Sequence, residues 1–271
     1  MTAPHASRRL RAFTLASLAA ALGLGAPRVA LADPGDGDGP EAPPVSAARS
    51  AESGAFLPFT LPASSASQRA YLTLQGGYDA ARGGAVFDTA VQATIVGPLS
   101  LRGGAAYVGP AGTLRPSVAL TVQALRQDRH GVDFSVYGGY QAQGFNTVPA
   151  AHLMLAVGRT VGRVSLLANV GYGYGPEEGE HYGAVHLAGL VRVFPSLHIG
   201  LDARARLDLE RDGDEPENEP DWDLVAGPMV TWSVGHFAVS ASGGLAAIKF
   251  RNSEVPSSVG AIAQLLLGSA F

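Results

Sequence analysis

From Arg69 to Phe271 the chain alternates apolar and small or polar residues with a period of two, which is the period of a β-strand. The clearest segment is 197–208. Leu197, Ile199, Leu201, Ala203, Ala205 and Leu207 form one face, and His198, Gly200, Asp202, Arg204, Arg206 and Asp208 form the other. A helix would scatter these charges around its circumference, whereas a strand collects them on one side. The same alternation runs through Leu99–Tyr107, Ser117–Ala124 and Val132–Gln141. The pattern predicts about twelve strands, near 69–78, 85–96, 99–108, 115–125, 131–141, 149–158, 163–172, 182–193, 197–208, 222–233, 237–248 and 258–270. Strands of about 9–11 residues suit a tilted crossing of a bilayer.

The breaks between these strands come in two kinds. Gly97-Pro98, Gln127–His130, Thr160–Gly162, Phe194–Ser196 and Val234–His236 read as tight turns. They alternate with longer, more polar connections at 79–84, 109–114, 142–148, 173–181, 209–221 and 249–257. Short turns at one end and long loops at the other are how an outer-membrane barrel is strung, with both termini on the short-turn side and an even strand count. Aromatic residues gather near strand ends, at Tyr78, Phe87, Tyr107, Tyr140, Tyr172, Tyr182, Phe194, Trp222, Trp232, Phe237 and Phe250, where girdles at a membrane–water boundary would stand. The last strand alternates through Val259, Ala261, Ala263, Leu265 and Leu267 to a terminal Phe271.

That terminal strand, together with the whole of 69–271 in pattern, resembles the bacterial outer-membrane β-barrels of the porin-like class. The resemblance implies an all-β, closed antiparallel transmembrane barrel with short periplasmic turns and longer extracellular loops. It also implies that Phe271 serves as a signal to the barrel-assembly machinery, and that lipid and lipopolysaccharide are the other partners. A soluble sandwich would need polar outer faces rich in Lys, Glu and Thr. Here the second faces are small and mixed, and a lipid setting requires the sheet to close so that every backbone amide is paired.

Residues 1–32 read as a secretory signal peptide. Arg8, Arg9 and Arg11 form its basic start, Ala12 to Gly25 its apolar stretch, and Ala30-Leu31-Ala32 its cleavage pattern. The apolar stretch is shorter than the ~20 residues of a spanning helix. Residues 33–68 read as a flexible Pro/Gly/Ala/Ser-rich linker, which buries too little apolar surface to offset its ordering entropy. The domain plan is therefore a signal at 1–32, a linker at 33–68 and a barrel at 69–271.

Composition narrows the chemistry. Charged residues are only 15% of the 271, the net charge is −4, and there is no cysteine. Nucleic-acid binding, disulfide scaffolds, thiol catalysis and Cys-ligated zinc are excluded on that basis. No G-x-S-x-G, H-E-x-x-H or phosphate loop occurs, so the expectation is a protein that is not an enzyme and has no cofactor or metal. The acidic loop 210–221 has seven acids and one Arg and reads as a solvated loop.

The predicted inward positions carry Asp88, Arg102, Arg115, Asp133, His152, Arg163, His186, Arg192, His198, Asp202, Arg204, Arg206, Asp208 and Asp223. The candidates for lumen lining and selectivity are Arg102, Arg115, Arg163, Arg192, Arg204, Arg206, Asp202 and Asp208, with Arg204 and Arg206 the densest positive point. They form either an anion-favouring constriction or a network of Arg–Asp pairs that braces the wall. The expected function is a small passive pore or structural barrel of the outer membrane. Three other readings compete: a non-conducting adhesive barrel acting through its loops, a barrel hydrolase with an outer-face Ser–His pair, and an autotransporter-like translocator. A channel requires conductance and a continuous polar lumen. A hydrolase requires a serine such as Ser165, Ser240 or Ser242 on the outer face. A translocator requires a passenger longer than the linker.

Overall fold

The computed structural model describes residues 70–80, 84–108, 113–141, 150–175, 180–209, 220–250 and 257–270. The expected signal peptide, linker and terminal Phe271 lie outside them, as do positions 210–219 of the acidic loop. Twelve strands follow in order: β1 (Ala70–Asp79), β2 (Gly84–Val96), β3 (Leu99–Val108), β4 (Thr113–Leu125), β5 (Asp133–Gln141), β6 (Ala150–Val161), β7 (Val164–Gly175), β8 (Glu180–Phe194), β9 (Leu197–Asp208), β10 (Pro220–Val234), β11 (Phe237–Phe250) and β12 (Ser258–Ala270). A single helical turn, α1 (Gln127–His130), joins β4 to β5. Each strand pairs antiparallel with its sequence neighbours, and β1 pairs with β12 from Tyr71↔Ala270 to Asp79↔Ile262, so the sheet closes into a barrel.

Closure gives the alternation its meaning, because one face of every strand now looks inward. On β9, His198, Asp202, Arg204 and Arg206 are buried, while Ile199, Leu201 and Leu207 are exposed. On β4, Thr121 and Gln123 are buried, while Val118, Leu120 and Val122 are exposed. The exterior is thus an apolar belt around the whole barrel. At its loop end stand exposed Tyr78, Phe87, Tyr107, Tyr172 and Tyr174, and at its turn end stand Phe194, Trp232 and Phe237. A soluble protein rarely exposes apolar patches of more than a few hundred Å². A continuous belt with aromatic ends suits hydrocarbon flanked by headgroups.

The two-residue turns explain the tight end. Gly97, Gly162 and Gly235 each stand first in such a turn with φ of 51°, 61° and 58°. A II′ hairpin needs positive φ at that place, and glycine supplies it without steric cost. Two turn positions differ from expectation. β6 continues to Val161, so the turn is Gly162-Arg163 and not Thr160–Gly162. Gln127–His130 is not a tight reversal but one turn of helix, stopped by Gly131 at φ 77°. The Gln127 side chain fixes it to β6. Its Nε2 donates to the Thr160 carbonyl at 2.6 Å, and its Oε1 accepts from the Thr160 amide at 2.7 Å. Asp133 Oδ1 accepts from the Gln127 amide at 2.9 Å and from Gln123 Nε2 at 3.1 Å. Replacing Gln127 by Ala removes both bonds to Thr160. It is expected to lower stability by about 1–3 kcal/mol, read as a lower urea midpoint of the refolded barrel in detergent.

The loop end also differs. β7 runs through Gly173 to Gly175 and β8 starts at Glu180, inside the expected loop 173–181. The reason lies in Gly171, Gly173 and Gly175, which alternate with Tyr172 and Tyr174 and occupy the inward face. A Cβ on Gly173 would collide with the ring of Tyr182 from β8. The glycine-rich stretch is therefore a strand that makes room for an inward tyrosine. Tyr182 accordingly belongs to the interior and not to the expected aromatic girdle.

Candidate functional site

Among the described residues, charged side chains from many strands converge in the interior, in two groups on different sides. The first is packed. Arg204 and Arg206 leave β9 on the same face, and Asp223 leaves β10 directly opposite Arg206 in the ladder. Arg206 Nε lies 3.1 Å from Asp223 Oδ2, and Arg204 Nη2 lies 3.7 Å from Oδ1. Arg204 is 4% exposed, Arg206 6% and Asp223 0%. The Arg206 guanidinium also lies over the Tyr182 ring, 5.5 Å from its centroid, a cation–π contact. Burial of this kind is tolerable only because the charges are paired.

Apolar side chains pack beside them, among buried polar ones that include Asn169, His186, Asp202 and Ser240. Leu167 of β7, Ala188 and Leu190 of β8 and Met229 of β10 form one buried cluster. It bridges over β9, whose inward residue at that level is Gly200, paired with Leu190 on one side and Met229 on the other. A second cluster joins Val86 of β2, Val225 of β10, Ala246 of β11 and Ile262 of β12. Each cluster joins neighbouring strands and also spans one intervening strand, β9 in the first and β1 in the second.

The second side follows β2–β5. Asp88, Arg102 and Arg115 face inward there and are half-buried. Asp88 and Arg115 flank the inward Ala106 on β2–β4. Arg102 lies close enough to act electrostatically on both Asp88 and Tyr71. Tyr71 Oη donates to Gln92 Oε1 behind them, and Gln75 Nε2 donates to Gln264 Oε1 at 2.8 Å.

The remaining candidates separate. Arg192 faces inward near the turn end, paired with His198 in the β8–β9 register. Asp202 is buried and Asp208 half-buried, both on the inward face of β9. Arg163 does not face the interior: because β6 is longer than expected, it falls in the two-residue turn and is exposed. Asp223 stood among the inward charges, but its place between two arginines depends on the β9–β10 register. Tyr182 and the Leu167–Leu190–Met229 cluster were missed. The alternation of glycine with Tyr172 and Tyr174 was the available signal for the former.

The sequence matches no family model and no curated protein. Solved structures do match in fold. The NanC porin superposes with a TM-score of 0.51 at 8% identity, over 74% of this chain and 98% of that one. In fold, the chain resembles a porin. The KdgM porin gives a TM-score of 0.48 at 8% identity over 74% and 99% of the two chains. The outer-membrane channel DcaP of Acinetobacter baumannii gives 0.41 at 11% identity over 74% and 71%. At these identities the likeness concerns architecture alone, and the porin comparison with NanC is the one that bears on it.

Proposed function

We propose that this chain is an outer-membrane barrel through which small hydrophilic solutes cross passively. One observation carries the reading: the barrel is inverted relative to a soluble protein, with an apolar exterior ending in aromatics and an interior that holds its charges. In this reading residues 1–32 direct export, the short turns face the periplasm and the longer loops face outward. The assembly machinery reads the strand ending in Phe271, and lipid and lipopolysaccharide surround the belt. The proposed role is not enzymatic. The inward placement of Ser165 and Ser240, each bonded to a threonine hydroxyl (Thr160 at 2.9 Å and Thr231 at 2.8 Å), is opposite to the outer-face placement a barrel hydrolase needs.

A second reading, a non-conducting structural barrel, is favoured by the packed side of the interior. Two measurements separate the proposals. The protein is expected in the outer-membrane fraction, with different mobilities before and after boiling on a gel. Recovery in the soluble periplasm with no such shift would sink the barrel-in-lipid reading. Purified full-length protein in planar bilayers is expected to conduct ions. Silent bilayers containing correctly folded protein select the structural barrel.

A further inference from the structure

We infer that the uncharged last part of the expected linker, residues 53–68, turns back into the barrel and occupies its interior. Twelve strands about 4.8 Å apart and tilted by about 40° close on a backbone circle of roughly 12 Å radius. Side chains are enough to fill a barrel of eight strands, and the wider circle needs more material than its own wall supplies. Yet inward side chains on both sides of this interior lie away from solvent. On β2–β5, Gln92, Ser100, Thr121, Gln123, Ser135 and Tyr137 are 0–7% exposed, and on β7–β12 so are Leu167, Leu190, Met229, Ser240 and Leu266. Neighbours along the wall could cover a serine. Tyr137, Leu190 and Met229 reach further inward, and an unfilled interior would wet them. Three buried polar atoms of the same face, Gln92 Nε2, Thr121 Oγ1 and Gln264 Nε2, have no hydrogen-bond partner among the described residues. Leaving such atoms unmatched is costly, so they call for a partner from beyond the strands.

Residues 53–68 read SGAFLPFTLPASSASQ, without a charge and with Phe56, Leu57, Phe59 and Leu61 close together. The segment leads into β1 at the turn end, where Tyr71 pairs with Ala270. Sixteen residue steps back from Arg69 reach at most about 55 Å. The hydrocarbon core is only ~30 Å thick, so the segment is long enough to enter. Left in water, its four large apolar side chains would forgo burial. The closed sheet offers no free edge to pair with, and Pro58 and Pro62 lack the amide that a ladder needs. On the lipid side an irregular backbone could not satisfy its polar groups. The interior meets both needs. Its hydroxyl and amide side chains suit a backbone, and Leu167, Leu190, Met229 and Leu266 suit the Phe and Leu side chains. Arg204 and Arg206 are already held by Asp223, so an uncharged occupant fits beside them.

Purified protein in detergent provides the test, each variant being checked for the heat-dependent mobility shift. The absence of cysteine makes single thiols readable. In the folded barrel, Leu57→Cys is expected to react with a polar maleimide an order of magnitude or more slower than Asp36→Cys, and at the same rate once urea has unfolded the protein. Equal rates in the folded barrel would overturn the inference. Phe59→p-benzoylphenylalanine, irradiated and mapped by mass spectrometry, is expected to form adducts with inward residues such as Met154 or Met229. Adducts confined to outward residues or to detergent would also overturn it, and would leave the wall itself or a separate molecule as what fills the barrel. Neither readout uses conductance, so a barrel silent in bilayers would remove the pore reading and leave this inference standing.

Discussion

Asp223→Ala is expected to destabilise the barrel by about 3–5 kcal/mol, the range for removing one partner of a buried ion pair. The carboxylate has no water contact and lies within 4 Å of two guanidinium groups, at 3.1 and 3.7 Å. Arg204 and Arg206 are two residues apart on β9, so both must face inward, and neither is placed to reach solvent when its partner is lost. The variant would keep two buried cations with one fewer anion and gain a small cavity beside Val225. The stacking of Arg206 on Tyr182 recovers only a fraction of this, about 0.5–2 kcal/mol. A urea titration of detergent-refolded protein should show a much lower midpoint. Replacing the whole group, as Arg204→Met/Arg206→Met/Asp223→Leu, is expected to restore most of the loss, because an apolar set of similar volume pays no desolvation cost. A wild-type midpoint for Asp223→Ala would remove the brace from the account of this wall.

This group also marks how far the sequence could be read. The strand count, the closed barrel and the two faces of β4, β5 and β9 were legible, because charges on one face and apolar residues on the other leave a single assignment. β7 was harder. Ser165, Leu167 and Asn169 face inward while Leu166, Ala168 and Val170 face outward, so leucines occur on both sides and periodicity does not show which one enters the core. The pairing of Arg206 with Asp223 was out of reach for a different reason. It depends on the register between β9 and β10, and a slip of one residue would place Asp223 on the outer face. The clusters around Met229 and Val225 are further still from local pattern, since they join strands separated by others and exist only once the barrel has closed. The turn at Arg163 failed on a boundary: β6 runs three residues past its expected end to Val161 and β7 begins one residue late at Val164, so the expected inward arginine stands on an exposed hairpin tip.

Gly200→Ala should prevent the barrel from forming in most molecules, although alanine is ordinarily the better strand residue by about 0.5–1 kcal/mol. Gly200 faces inward on β9, and a Cβ there would overlap the Gly189 carbonyl oxygen and stand 2.9 Å from the Leu190 Cα. These are backbone atoms in the β8–β9 ladder, so no rotamer change relieves the clash, and the two strands must separate. Separation breaks hydrogen bonds that cannot be replaced in lipid. It also pulls Leu190 away from Met229, which meet above this glycine to close the packed side of the interior. Gly103 provides the matched control. It lies in β3, in the middle of a strand, and an added Cβ there has nothing within 4 Å. Gly103→Ala should therefore be neutral or stabilising by about 0.5–1 kcal/mol through lower entropy of the unfolded chain. The two substitutions add the same methyl group to the same kind of backbone. Opposite outcomes in the fraction of heat-shiftable barrel would attribute the effect to the close approach of β8 and β9. Equal outcomes would mean that the strands around Gly200 have room the structure does not show.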